Sequence, residues 1–402
     1  MKGLSLRLHR APQFLFALIG LCFLQACAAP SRLDAVPKDE QALAVVDGMP
    51  GIRYWQESNM ALMQQDAIDA YKRELELAAA AGNKGPLPPA NFLAISGGGE
   101  NGAFGAGLLV GWTEAGTRPE FKLVTGISTG ALTAPFAFLG PKYDEQLKAV
   151  YTGITEKNVL ISRGILAALF SDALNDNAPL KELIARYVNE DMLKAIAAEN
   201  AKGRILLIGT TNIDASRPVI WNIGKIAASG SPDALDLVRK ILVASAAIPA
   251  AFPPSMIDVV VNGKHYQEMH VDGGASRQVF VYPPSVKVAE VSKAAGVTRE
   301  RRAYIIRNSR LDPDWADTER QTLSIAGRAV SSIIQTQGVG DLYRIYSLAQ
   351  RDGVDFNLAF IPSTFNVPLP EPFDQHYMIE LFKLGYEMGR KGYPWAKVPP
   401  GY

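Results

Sequence analysis

Three groups of residues in this chain have types and spacings suited to nucleophilic acyl chemistry. Gly126-Ile127-Ser128-Thr129-Gly130 is a G-x-S-x-G pattern lying between the apolar run 122–125 and a helical stretch, 131–139. A strand-to-helix elbow of this kind exposes the serine hydroxyl, and its flanking glycines (Gly126 and Gly130) leave room for a substrate. A serine hydroxyl is a poor nucleophile at neutral pH and needs a base within hydrogen-bond reach. Asp272, in Val271-Asp272-Gly273-Gly274, is the best candidate base. Asp-Gly is also a common turn pair, so a turn aspartate bonded to its own backbone is the competing reading. The third group, Ser96-Gly97-Gly98-Gly99-Glu100-Asn101-Gly102, follows an apolar run and precedes a helix. Its glycines permit a tight turn, and the helix start aims backbone N–H groups at negative charge. The loop also fits G-x-G-x-x-G, but a dinucleotide fold needs an acidic residue at the end of the second strand. Here that strand runs into the serine elbow instead, which decides against a nucleotide.

These loops have to be positioned by regular elements. From Asn91 onward short apolar strands alternate with helical stretches: 92–95, 122–125, 204–208 and 303–307 read as strands. The stretches 103–115 and 131–139 read as helices, and amphipathic segments near 143–151, 179–198, 232–244, 320–349 and 375–390 supply further helical layers. Asn262-Gly263 marks a hairpin turn ahead of Asp272. Alternation of this kind predicts a three-layer α/β/α fold with a mostly parallel central sheet. Ligands then bind beyond the carboxyl ends of the strands, where all three chemical loops fall. Tyr54 to Ala81 reads as one long helix, ended by Gly82 and the proline-rich stretch 86–89, which marks a domain edge.

The chain has 402 residues, 48% of them hydrophobic and 20% charged, a globular balance. With 41 basic and 40 acidic residues, nothing suggests nucleic acid as a partner. Four histidines and two cysteines argue against a structural zinc site, and no metal or cofactor is expected. Asp312, Asp314 and Asp317 lack the glycine and terminal glutamate of a calcium loop. At the N-terminus, Lys2, Arg7 and Arg10 precede an apolar stretch, Phe14 to Leu24, too short to span a bilayer. It ends in Leu24-Gln25-Ala26-Cys27, which resembles the lipobox of bacterial lipoproteins. Residues 1–26 are therefore expected to be a signal peptide, with lipidated Cys27 holding the protein at a membrane. Residues 28–52 read as a tether, and 27–90 as tether plus N-terminal helix ahead of a catalytic domain at 91–402. Ala28 is compatible with outer-membrane sorting, giving an envelope location facing the periplasm.

The Gly-rich loop, the serine elbow about 30 residues later and the distant Asp-Gly-Gly resemble the patatin family of serine–aspartate lipid acyl hydrolases. Two more segments, Thr210-Thr211-Asn212-Ile213-Asp214 followed by Pro218-Val219, and Ser245-Ala246-Ala247-Ile248-Pro249-Ala250-Ala251-Phe252-Pro253-Pro254, resemble family blocks in the same order. The resemblance implies a Ser128–Asp272 dyad without histidine, an oxyanion hole from Gly97, Gly98 and Gly99, and a lipid acyl ester as substrate. The family loop usually opens with Asp and carries a basic residue before its last glycine, where this chain has Ser96 and Asn101. Strict phospholipase specificity is thereby weakened, while the backbone donors are unaffected. Two alternatives stay open. One is a non-catalytic envelope lipoprotein that binds lipid or protein on this scaffold. The other is a His-dependent carboxylesterase using His376, which follows Ser128 and Asp272 in the order of α/β-hydrolases. His265 and His270 are expected on the hairpin surface, and His376 at a helix start.

Overall fold

The computed structural model describes residues 31–55, 60–83, 85–163, 171–294, 296–313 and 315–402. Residues 1–30, which hold the expected signal peptide and Cys27, and Asp314 lie outside the described residues. Eleven strands are described: β1 (Arg53–Trp55), β2 (Ala90–Ile95), β3 (Phe121–Gly126), β4 (Ile161–Ser162), β5 (Asn175–Asp176), β6 (Ile205–Asn212), β7 (Arg217–Asn222), β8 (Ser255–Val261), β9 (Lys264–Asp272), β10 (Arg301–Arg307) and β11 (Asp355–Phe360). The helices are α1 (Met60–Ala80), α2 (Gly102–Glu114), α3 (Thr129–Leu139), α4 (Asp144–Gly153), α5 (Ala178–Tyr187), α6 (Glu190–Ala201), α7 (Ile223–Ala227), α8 (Ala234–Ser245), α9 (Val288–Ala294), α10 (Thr322–Asp352) and α11 (Gln375–Arg390).

Nine strands form one mixed sheet in the order β1-β7-β6-β3-β2-β10-β11, with β9 on β6 and β8 on β9. Its parallel part, β6-β3-β2-β10-β11, is the sheet expected from the strand–helix alternation. Both faces of these strands are buried, so they read as near-continuous apolar runs. Leu93, Ile95, Val124 and Leu206 pack under α2, α3, α8 and α11. Ala94, Leu207, Ala303 and Ile305 pack on the other face with α1 and α10. Helices α2 and α11 lie in backbone contact: a Cβ at Gly107 or Gly111 would come within 2.1 or 2.0 Å of a carbonyl oxygen of α11. Only glycine permits that approach.

β6 is the strand that brings the distant loops together. Its first half pairs with β3, Gly126 lying opposite Ile208. β3 ends there, and the vacated edge of β6 is taken by β9, with Asp272 opposite Thr210. Ser128 and Asp272 therefore both stand two residues past the Gly126–Ile208 register. The hairpin that delivers Asp272 turns at Asn262 (φ 50°) and Gly263 (φ 80°), the positive dihedrals that an Asn-Gly turn supplies.

Several expectations are corrected. Tyr54 lies in β1, antiparallel to β7, and the long helix starts at Met60. The segment read as a tether is packed from residue 31 on: Val36, Ala44, Met49 and Ile52 are buried, and Val45 bridges to Val260. Its apolar residues are too few for a periodic signal but enough to cover the sheet edge, so the compact unit begins well before Asn91. The segment 179–198 is two helices, interrupted at Val188 and restarted where the Asn189 side chain accepts the Met192 N–H at 3.0 Å. Strands β1, β4, β5, β7 and β11 are not among the expected elements.

Candidate active site

Ser128 sits between β3 and α3 with φ 55° and ψ −127°, a region a non-glycine residue rarely occupies. Such strain persists only where the surroundings enforce it. Here the enforcement is steric and hydrogen-bonded. A Cβ at Gly126 would stand 2.4 Å from the Gly130 carbonyl oxygen, and one at Gly130 would stand 2.3 Å from that of Ile95. The Ser128 N–H donates to Ser245 Oγ at 3.0 Å, and Ser245 Oγ donates to the Gly209 carbonyl at 2.7 Å. Downstream, the Ser128 carbonyl accepts from Ala131 at 2.8 Å and opens α3. The elbow is thus held from β2, β6 and α8 at once.

Asp272 ends β9 and is 4% exposed; Ser128 is 7% exposed. The Ser128 hydroxyl faces the Asp272 carboxylate and acts on it. Asp272 Oδ1 also accepts the Gly274 N–H at 2.7 Å, and the Asp272 N–H donates to the Ala247 carbonyl at 2.8 Å. Burial pushes the Asp272 carboxyl up to about 7, against the opposing pull of the hydrogen bonds from Ser128 and Gly274. A carboxylate that protonates near neutrality is matched to taking and returning a proton at that pH.

The glycine loop lies against this pair. A Cβ on Gly97 would be 3.2 Å from the Ser128 Cβ, and one on Gly98 would be 2.3 Å from the Asn308 carbonyl oxygen. The three glycines are not equivalent. Gly97 donates its N–H to the Gln278 carbonyl at 3.1 Å, so that donor is already engaged. Gly98 (φ 154°) and Gly99 (φ 57°) turn the chain, and their N–H groups make no hydrogen bond among the described residues. They are the donors open to an oxyanion.

Sequence reasoning missed the residues that fix this loop. Asn308, just past β10, donates its N–H to Ser96 Oγ at 2.9 Å and its Nδ2 to the Ser96 carbonyl at 3.0 Å, and accepts the Gly105 N–H at 3.1 Å. Gln278 joins two loops, donating Nε2 to the Gly274 carbonyl at 2.9 Å while its own carbonyl receives Gly97. Asp341 on α10 accepts the Gln278 N–H at 2.7 Å. The only available signal was their place after a strand or beside a glycine pair. Ser96, where the family loop usually has Asp, donates to the Gly97 carbonyl at 2.7 Å, and Asn101 accepts from Tyr377 at 2.6 Å.

The three described histidines do not bond to the pair. His265 is exposed on the hairpin, and His376 is exposed in the first turn of α11. His270 is fully buried, correcting the expectation of a surface position. Its Nδ1 lies 2.9 Å from Thr210 Oγ1, and its Nε2 lies 3.0 Å from Glu268 Oε2. The Glu268 carboxylate can only accept, so the neutral ring donates from Nε2 and its Nδ1 accepts the Thr210 hydroxyl proton; Trp221 Nε1 donates to the same Thr210 oxygen. Burial pushes the His270 pKa down, which keeps the ring neutral. Burial alone would raise Glu268, but Arg53 and His270 hold its carboxyl down at about 2. This cluster ties β1 to β9 and leaves Asp272 to Ser128. Among the described residues, neither Ser128 nor Asp272 hydrogen-bonds a histidine.

Three comparisons with known proteins bear on this arrangement. A family model described as patatin-like phospholipase matches residues 93–283, the stretch that holds all three chemical loops. A search of curated protein sequences returned no match. Among solved structures, VipD from Legionella pneumophila is similar over 76% of this chain at 12% identity, with a TM-score of 0.37. The match covers 66% of that protein, a little under two thirds of its length, and at this TM-score it carries no argument about function.

Proposed function

Residues 93–283 are a patatin-like phospholipase domain, and from that premise we propose that the protein hydrolyses acyl esters of lipids through Ser128 and Asp272. The family supports lipid acyl hydrolysis in general terms. What carries the reading to these residues is one observation: the Ser128 hydroxyl faces a buried carboxylate that protonates at about 7, beside two glycine N–H groups that make no hydrogen bond among the described residues.

The steps follow from that geometry. Asp272 takes the hydroxyl proton as Ser128 Oγ attacks the ester carbonyl carbon. The carbonyl oxygen, now negative, is held by the Gly98 and Gly99 N–H groups at the start of α2. Collapse of the tetrahedral species breaks the ester C–O bond, and the departing alkoxide takes the proton from Asp272, leaving an acyl-Ser128. Water then attacks the acyl carbon while Asp272 takes its proton, and the second collapse returns that proton to Ser128 and frees the fatty acid. No histidine is needed, because the carboxylate itself titrates near neutrality.

The substrate class is phospholipid or lysophospholipid. The absent basic residue at Asn101 removes one attraction for a phosphate, so headgroup selectivity is expected to be broad. Lipidation at Cys27 would hold the domain at the bacterial outer membrane, beside its substrate. The test is incubation of phospholipid vesicles with wild type and Ser128→Ala, read by lipid mass spectrometry, with fluorophosphonate labelling of both proteins. Wild type should release fatty acid and label at Ser128, and the variant should do neither. Equal release by both proteins would refute the assignment.

A further inference from the structure

At the opposite end of the same strands, beneath α1, the structure contains a cavity of about 200 Å³. It lies by the amino-terminal halves of β2, β3 and β6, whereas the dyad stands past the carboxyl ends of β2 and β3, so the two sites are separate. Its floor is aliphatic and aromatic: Phe92, Leu123, Ile205 and Leu207 from the sheet, with Ile68 and Val286 beside them. An apolar cavity of ~150 Å³ already stays dry and takes up a molecule the size of benzene, so this one has room for a short aliphatic chain.

The wall above that floor carries charge, and the pairing there is incomplete. Glu74 accepts from Arg299 at 2.7 and 2.9 Å, and Lys122 lies 2.9 Å from it. Asp66 is paired with Lys225 at 3.0 Å and bonded to Tyr54. Both carboxylates of the lining are therefore taken. Arg301 hydrogen-bonds only neutral groups, the Arg299 carbonyl at 3.2 Å and the Ser292 hydroxyl; the carboxylate that acts on it, Asp352, is itself paired with Arg351 at 2.7 Å, and no carboxylate ion-pairs with Arg301 among the described residues. It is half-buried, and burial together with the neighbouring Arg299 pushes its pKa down. A cation in that position shares the Asp352 charge with Arg351 and has no carboxylate of its own. A guanidinium presents two parallel N–H donors that match a planar carboxylate.

We infer that this cavity binds a monoanionic amphiphile, an aliphatic carboxylate of medium chain length. The carboxylate lies against Arg301 and Ser292, and the chain lies on Phe92, Leu123, Ile205 and Leu207. The inference does not rest on the dyad. Its test uses the Ser128→Ala chain, and the outcome stands whether or not the parent protein hydrolyses lipid.

The experiment is calorimetric titration at pH 8 with octanoate and, separately, with 1-octanol, which has the same chain length and no charge. Octanoate should bind one to one and about tenfold more tightly than the alcohol, as a single charge-assisted pair provides. Adding Arg301→Met should bring octanoate down to the alcohol's affinity while leaving the alcohol unchanged. Adding Ile68→Trp, which fills the cavity from α1 and leaves Arg301 in place, should weaken both ligands at least tenfold. Thermal melts establish that each variant is folded. Equal affinity for octanoate and octanol in the starting protein would overturn the proposal. So would undiminished octanoate binding in folded Ile68→Trp.

Discussion

Replacing Asp272 by Asn separates the chemical role of this carboxylate from its structural cost. The Asp272 carboxyl rises from 3.8 to about 7 because it is buried. Between those values the unfolded chain has released the proton and the native state still holds it. The unfolded state then binds fewer protons, so stability falls as pH rises, by about 1.4 kcal/mol per unit. Over that window the loss is on the order of 4 kcal/mol, an upper figure, and above pH 7 it is fully developed. Asn has nearly the same shape, can still accept the Gly274 N–H, and does not titrate. All other groups titrate alike in both proteins and cancel in the difference. Urea unfolding of wild type and Asp272→Asn at pH 4.5, 6 and 8 should therefore show the variant gaining on wild type as pH rises, with most of the gain complete by pH 8. Hydrolysis should move the opposite way, with kcat falling by about 10²–10⁴ because the general base is gone. In wild type, kcat/KM should rise with pH through about 7. A stability difference independent of pH, together with a kcat/KM flat from pH 5 upward, would show that the carboxylate has an ordinary pKa and refute the account of its burial.

Further outcomes follow from the same geometry. Gly98→Ala should be destabilised and nearly inactive, because its Cβ would stand 2.3 Å from the Asn308 carbonyl; a thermal melt and an ester assay check both. Asn308→Ala should remain folded but lower kcat by about 10–100-fold with little change in KM, since it loosens the loop holding the oxyanion donors rather than the substrate pocket. Normal kcat in that variant would show that the loop needs no such anchor. His376→Ala should keep full activity, as the exposed side chain is not bonded to the pair; a loss comparable to that of Asp272→Asn would restore the histidine triad.

The sequence by itself determined the local features. The serine elbow, the glycine turn, the strands around them and the Asn-Gly hairpin are legible because backbone dihedrals, glycine requirements and apolar runs act over a few residues. Choosing Asp272 over a mere turn aspartate rested on the resemblance to a family, because nothing local distinguishes them. The tertiary structure decided what depends on distant partners. It put β9 on the edge of β6 that β3 leaves free, setting Asp272 against Ser128. It engaged Gly97 and left Gly98 and Gly99 open, buried His270 in an ion cluster, and packed residues 31–55 as part of the domain. The physical reason is the same throughout: a side chain's charge, burial and free hydrogen-bonding groups are set by neighbours that lie far along the chain, and a local pattern holds no record of them.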